Sequence, residues 1–333
     1  MWEINNETPF EADRTIVVDK TGERHWVVVV KGTFLIEPNG ETIEAEEQVP
    51  AISLPEYRGV QGESSLVYEQ DLIPAKPLTD LYLNASAHAP HGRPATEVQV
   101  SLRTPRGTKS LIVKGTRRWR KDAAGMSATP AEPFLTSPII YERAYGGFDR
   151  RDPNPSKHRL EPHNPVGTGF FTSEAHKDGQ PLPSVEHPLL STNGGPAGFG
   201  ALCSYWEPRI RYQGTYDAAW VKTKKPLLPD DYDPRFLQCA PADQQFEPHL
   251  RGGEEIAVTN MTPGGHLRFQ LPRRAFAFTT VIGRRRFEHR AKLVTVVLEP
   301  DHPRVILVWH STLSCHHDID DIDYTDIVEK QYV

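Results

Sequence analysis

Apolar residues recur with a period of two, in short runs, near both ends of this chain. Val98, Val100 and Leu102 alternate with polar neighbours between Glu97 and Arg103. From Asp80 to His88, Leu81, Leu83, Ala85 and Ala87 fall on one side, and Tyr82, Asn84, Ser86 and His88 on the other. One polar and one apolar face mark a strand of an antiparallel sheet packed on one side. His25 to Ile36 (HWVVVVKGTFLI) breaks this rule with an unbroken valine run, so it predicts a strand buried on both faces. Arg14 to Asp19 predicts a short strand, and Lys109 to Val113 closes a hairpin after the turn Pro105-Arg106-Gly107. Five further strands are predicted after Glu254: EEIAVTN, HLRFQLP, AFAFTTVIG, KLVTVVLEPD and RVILVWHSTL. Pro263-Gly264-Gly265 and Pro300 to Pro303 supply turns between them.

Between Asp122 and Pro248 the periodicity disappears. Seventeen of the chain's 30 prolines fall between Pro130 and Pro248. Proline fixes φ and removes a backbone donor, so this region is neither mostly helix nor central strand. It nevertheless carries many aromatics, which predicts loops packed down on a core. Two short helices are expected here, over Asp217 to Lys224 with Thr215 as cap, and near Asp243 to Phe246. A third is expected late, over Tyr324 to Gln331.

The pattern divides the chain into three segments: a β-rich 1–121, a Pro/Gly/aromatic-rich 122–250 and a β-rich 251–333. They are expected to make one domain. Short strands without a βαβ rhythm argue against dinucleotide-binding and α/β-barrel folds. The expected class is mainly β, an antiparallel β-sandwich or open barrel with a long central loop region and a few short helices.

Composition narrows the function classes. The chain has 333 residues and a formal net charge of -6, which does not match the basic excess of nucleic-acid binders. The three cysteines, Cys203, Cys239 and Cys315, are widely spaced and odd in number. That excludes a disulfide framework and suits a reducing cytoplasm. No apolar run is long enough for a membrane span, and the first residues do not read as a signal peptide. A cytoplasmic, non-membrane protein is expected.

The candidate chemistry is thin. Cys315, His316, His317, Asp318, Asp320, Asp321 and Asp323 crowd the C-terminal region, with His310 nearby. The spacing fits neither a zinc site nor an EF-hand, where Ile322 and Asp323 would fall at a ligand and a glycine position. His88 and His91 lie three apart in a loop and read as turn residues. Gly194 to Gly200 is glycine-rich but lacks the features of a phosphate-binding loop. No GxSxG or HExxH occurs. The basic runs Arg117 to Lys121 and Arg284 to Arg286 read as solvated strand residues. No catalytic residue, metal or cofactor is expected, and no enzyme.

The polar stretch Tyr141 to Phe171 stands out. Glu142-Arg143 and the charged run Asp149, Arg150, Arg151 and Asp152 flank Tyr145-Gly146-Gly147. An arginine fork held by a carboxylate can pin a loop that no sheet ladder fixes. Further ordered blocks include Asn6-x-Thr8-Pro9-Phe10, Val29 to Phe34, Asp71-Leu72-x-Pro74-x-Lys76-Pro77-x-Thr79-Asp80 and Ala87 to Gly92. Later ones are Tyr141 to Gly147, Asn164-Pro165-Val166-Gly167-x-Gly169, Gly214 to Asp217 with Trp220, Pro226 to Phe236 and Ala240 to Gln244. Through these blocks the chain resembles domain-of-unknown-function family 2169, linked to type VI secretion. Gly32 and Tyr145 stand where the family pattern has Ala and Phe.

The resemblance implies an accessory role: an adaptor or chaperone that helps load an effector, often one with a PAAR tip domain, onto the VgrG spike. The expected partners are an effector or PAAR protein and possibly VgrG, with neither nucleic acid nor membrane. An enzyme acting on a secreted partner and a structural secretion component are the alternatives. The residues expected to form or support the partner face are Tyr141, Arg143, Tyr145, Phe148, Phe170, Phe171, Tyr216 and Trp220.

Overall fold

The computed structural model describes residues 2–189, 196–315 and 319–330. Its main strands are β1 (Glu3–Asn6), β2 (Glu11–Val18), β3 (Arg24–Ile36), β4 (Thr79–Leu83), β5 (Glu97–Thr104), β6 (Gly107–Lys114), β7 (Glu255–Thr259), β8 (His266–Gln270), β9 (Ala275–Ile282), β10 (Arg285–Glu299), β11 (Arg304–Ser314) and β12 (Ile322–Lys330). The chain is mainly β, as its patterning predicts.

The larger sheet runs β1-β12-β9-β10-β11-β3-β2, with Thr42–Glu44 beside β3 and β4 beside β10. Its two end strands are consecutive in sequence and lie near each other: Arg14 Nε on β2 donates to the Trp2 carbonyl at 2.9 Å. The sheet is therefore a nearly closed barrel. Its interior is aromatic. Phe10 packs on Phe34 at 5.3 Å between ring centroids and edge-on to Phe276 at 5.9 Å, and Phe276 meets Trp309 at 5.0 Å. Trp26, Val28 and Val30 line the same core. The alternate residues of β3, Val27 and Val29, pack outward against Val294 and Val308 under a covering segment around Leu72. The valine run is buried on both faces, as expected.

The second sheet is ordered Val185–Glu186, β6, β5, β7, β8. Val98, Val100 and Leu102 point inward, joined by Leu111, Val113, Ile256 and Val258 in the one large core that also fills the barrel.

Four local expectations are corrected. The helix expected over Tyr324 to Gln331, of which Gln331 lies outside the described residues, is a strand over its described part: Ile322–Lys330 is β12, parallel to β1 and antiparallel to β9. Its β-branched residues Ile322, Thr325 and Ile327 are buried in the barrel wall, and such residues fit a pleated surface better than a helix. The Asp80 to His88 run is two strands, Thr79–Leu83 and Ser86–His88, and all of the first is buried. In the helix Ala218–Thr223 the cap is Asp217, whose carboxylate accepts from Trp220 N, while Thr215 is bonded to Asp231. The short helix expected near Asp243 to Phe246 is a 3₁₀ segment, Ala242–Gln244, followed by the strand Gln245–Phe246.

Candidate functional site

The stretch Tyr141 to Phe171 is ordered by side chains reaching its own backbone. Buried Asn164 donates from Nδ2 to the Tyr141 carbonyl at 2.8 Å and the Tyr145 carbonyl at 3.0 Å. Gly146 turns with φ of +152°, and a Cβ there would lie 2.2 Å from the Asn164 carbonyl oxygen. Asp149 is a second hub. Its carboxylate accepts from Thr172 N and Oγ1, His176 Nδ1, and Arg151 N and Nη1. Burial pushes its pKa up, but the hydrogen bonds from Thr172, His176 and Arg151 outweigh this and hold it well below the usual carboxylate range.

The expected arginine fork is realised at Asp149–Arg151 but not at Glu142–Arg143. Glu142 instead accepts from Ser65 N and Oγ at 2.7 and 2.8 Å, and Arg143 donates to Ser137 Oγ at 2.9 Å. Neighbours in sequence point apart here because Tyr141–Arg143 is a single 3₁₀ turn.

The residues expected at a partner face fall into three environments. Tyr141 is buried: it packs edge-on to Trp206 at 5.4 Å, lies under Gly198 and donates to the Gly200 carbonyl. Arg143 and Phe148 are exposed, with the Arg150 guanidinium 4.1 Å over the Phe148 ring. Tyr145, Phe170 and Phe171 are half-buried, and Arg151 stacks on Phe171. Tyr216 and Trp220 pack on each other at 4.7 Å in a separate arm, around the short helix α1 (Ala218–Thr223). That arm is tied to Asp231 through Thr215, and it returns near Gly22 at the tip of the β2–β3 hairpin through Leu227.

Beneath the block Asp71 to Asp80 lies a buried charge network that periodicity gives no hint of. Lys31 pairs with Asp71, Lys76 with Asp80 and Arg209 with Glu69, at 2.8, 2.8 and 2.6 Å, and all six are nearly inaccessible. Asp80 also accepts from Gln238 Nε2, Cys239 N and Ala240 N. Burial lowers the Lys76 pKa, but the Asp80 carboxylate 2.8 Å away outweighs it, so the ammonium is held charged. Burial pushes the Cys239 thiol well up and out of the thiolate range. Three cations thus face three carboxylates. The network welds the 69–80 and 202–240 segments onto the barrel's outer face, and its geometry is that of a structural lock.

All three cysteines are free and buried. Of the expected metal-ligand candidates, His88 pairs with Asp301 at 2.6 Å, and exposed His91 sits in a turn at φ +58°. His316, His317 and Asp318, and Gly194 and Gly195 of the glycine-rich stretch, lie outside the described residues. Asp19, Glu23 and His25 do come together, but Asp19 already accepts from Thr21 N and Oγ1 and Glu23 N and pairs with His25. That arrangement locks the β2–β3 turn.

The feature with open space and unmatched charge is a cavity of about 840 Å³ where β9 and β10 part. β9 pairs with β10 only up to Ala277–Arg290, and β4 takes the same side of β10 from Thr295 onward. Between them Ala291 to Val294 have no strand on that side among the described residues. Phe276, Phe278 and Trp309 form the floor of this fork, and Arg251, Arg290, Lys292 and Lys330 stand exposed at its rim. Among the described residues Glu288 is the one carboxylate residue lining it. Sequence reasoning missed the fork because its wall comes from Pro248 to Arg251, β9, β10, β11 and the end of β12. The signal present was the outward alternation of Arg290 and Lys292 beside inward Leu293.

Compared with known protein families, the chain matches, over residues 21–310, a family described as uncharacterized and conserved in bacteria, DUF2169. The chain belongs to DUF2169. No curated protein and no solved structure matches it. The matched span takes in the buried charge network, the Asn164 and Asp149 hubs and most of the fork, but not Lys330. Among the described residues no helix is long and apolar enough to cross a membrane.

Proposed function

We propose that this DUF2169 protein is a non-catalytic binding protein, an adaptor or chaperone that holds a type VI secretion effector and presents it to the spike. The observation that carries the binding half of this reading is the fork. It offers an aromatic floor, an interrupted strand edge and a cationic rim on an otherwise anionic chain. Such a surface is shaped for another polypeptide chain. The secretion half rests on the sequence blocks that resemble the type VI-linked family. The buried charge network supports the reading from the other side, since it supplies a rigid scaffold and its charges are consumed in pairs.

The test is co-expression with the neighbouring effector and PAAR or VgrG proteins, followed by affinity purification. The expected result is a stoichiometric complex with the effector, and less soluble effector when this protein is left out. Purification without a partner from cells running an active secretion system overturns the reading. The exposed aromatics Phe148 and Tyr216, with Trp220 behind the latter, provide a second contact surface to probe. Tyr145→Asp and Trp220→Asp variants that fold yet bind the effector as before would exclude the loop face from the contact.

A further inference from the structure

Resting on the binding reading above, we infer that the fork between β9 and β10 captures an acidic, extended segment of the partner by strand addition. Three observations converge on this occupant.

The first is the interrupted ladder. β10 is one continuous strand paired with β11 from Ala291 to Glu299. Its other side is paired with β9 up to Arg290 and with β4 from Thr295. The four residues between span about 13 Å, room for four residues of an added strand. A register shift between Leu293 and Thr295 bends the strand there. Thr79 Oγ1 already donates to the Leu293 carbonyl, and the backbone groups of Lys292 alternate toward β11, so the added chain meets the edge at Ala291 and the Leu293 N–H. A partner strand satisfies an open edge of this kind, whereas native proteins otherwise cover it.

The second is charge. Arg251, Arg290, Lys292 and Lys330 are exposed at the rim, and none has an ion-pair partner among the described residues. Arg274, which also lines the cavity, is already paired with Glu44 and Glu329 and is left out of this count. With a chain net charge of -6, four unpaired cations against Glu288 are a local feature and not a reflection of composition. They select a segment rich in carboxylates.

The third is the floor. Phe276, Phe278 and Trp309 lie below the rim. An extended chain sends alternate side chains to opposite faces. A segment alternating acidic and apolar residues would place carboxylates on the rim and apolar groups toward the aromatics.

The experiment uses the full-length protein and a fluorescein-labelled octapeptide, (Glu-Val)4, followed by fluorescence anisotropy. Binding is expected, weakened by added salt and by about tenfold or more in the Arg290→Glu/Lys292→Glu double variant. Both substituted side chains are exposed, and circular dichroism checks that the variant is folded. A (Glu-Val)4 peptide N-methylated on alternate residues is expected to lose binding, because it cannot complete the ladder. Equal binding of the N-methylated peptide would overturn strand addition. Equal binding of (Lys-Val)4, or preferential binding of an oligothymidine, would overturn the acidic-peptide assignment, as would no binding of (Glu-Val)4. The double variant is then used in the effector purification. An effector that still co-purifies with it overturns the fork as the contact while leaving the adaptor reading intact. An effector that never binds the parent protein removes the adaptor reading, and the peptide measurement judges the fork by itself.

Discussion

At the scale of single residues, the two positions that carry most weight are Asp80 and Gly146. Asp80 is fully buried and accepts from five donors: Lys76 Nζ, Gln238 Nε2, Cys239 N and Sγ, and Ala240 N. Removing its carboxylate leaves Lys76 charged, buried and short of a partner. Asp80→Ala is expected to destabilise the fold by about 3–5 kcal/mol in urea titrations. The Lys76→Met/Asp80→Leu pair is expected to recover most of that loss, because it removes the uncompensated charge and fills the space. If the pair were no better than the single change, the loss would lie in the backbone donors of Cys239 and Ala240. Gly146 argues from sterics instead. Its left-handed φ alone costs a side chain about 1–3 kcal/mol, and a Cβ 2.2 Å from the Asn164 carbonyl adds a backbone clash. Gly146→Ala is expected to lower the thermal midpoint and free the Tyr141 to Phe171 segment for proteolysis. The same change at Gly107, where nothing lies within 4 Å, carries only the backbone strain.

At the scale of elements, β12 decides whether the barrel closes. It lies between β1 and β9 and brings Thr325, whose hydroxyl accepts from Trp26 Nε1 at 2.9 Å and meets Thr280 Oγ1 at 2.8 Å. Truncation before Ile322 would strip β9 of its outer neighbour and leave the buried Trp26 Nε1–H without its acceptor. The truncated chain is expected to lose its cooperative unfolding transition and to aggregate, read by calorimetry and light scattering. A cooperative, soluble truncation would make β12 an accessory strand. This element is also where sequence reading failed. An acidic run before Tyr324 resembles a helix start, and only pairing with β9 and with β1, the latter over 300 residues away, settles the strand. Elements with period-two patterning, such as β5, were legible because burial on one sheet face writes itself into local order. β3 was legible from its uninterrupted valines. β4 was half legible: Leu81 and Leu83 gave the strand, but Asp80 and Tyr82 read as solvent-facing, although Asp80 is held by Gln238 and Cys239 far along the chain. The fork was not legible, since it arises where two strands from different parts of the sequence stop sharing one neighbour.

At the scale of the whole molecule, two buried imidazoles set the acid limit of stability. His310 is buried on the outer face of β11, and neither ring nitrogen has a hydrogen-bond partner among the described residues. Burial, with Lys76 adding to it, pushes its pKa down to about 3. His289 is held between Thr280 Oγ1 and Ser311 Oγ, and burial pushes it down to about 4. In the unfolded chain both titrate near about 6.5. Below that pH the unfolded state binds protons that the folded state refuses, so stability falls with pH. The contribution is complete above pH 6.5, declines as pH falls, and stops declining once each folded imidazole also protonates, near 4 and 3. Asp19 and Asp149 pull the same way, but in a lower window. Their folded pKa values are depressed, Asp19 to about 2, so their contribution is lost only as pH falls through and below the ordinary carboxyl range, about 3.9. Between pH 6.5 and 5 the slope from these four groups therefore belongs to the histidines. It approaches at most about 2.7 kcal/mol per pH unit if both stay neutral, twice the value for one proton. Urea midpoints measured across that interval are expected to fall steadily in the parent protein and less steeply in His310→Leu, with His289 and the half-buried His249, also pushed down by burial, carrying the remaining slope. That variant should lose nothing at pH 7.5, because it replaces an unpartnered buried imidazole with an apolar group. An unchanged slope in His310→Leu would mean that His310 is already protonated in the fold across this interval, and burial would then not set its proton affinity.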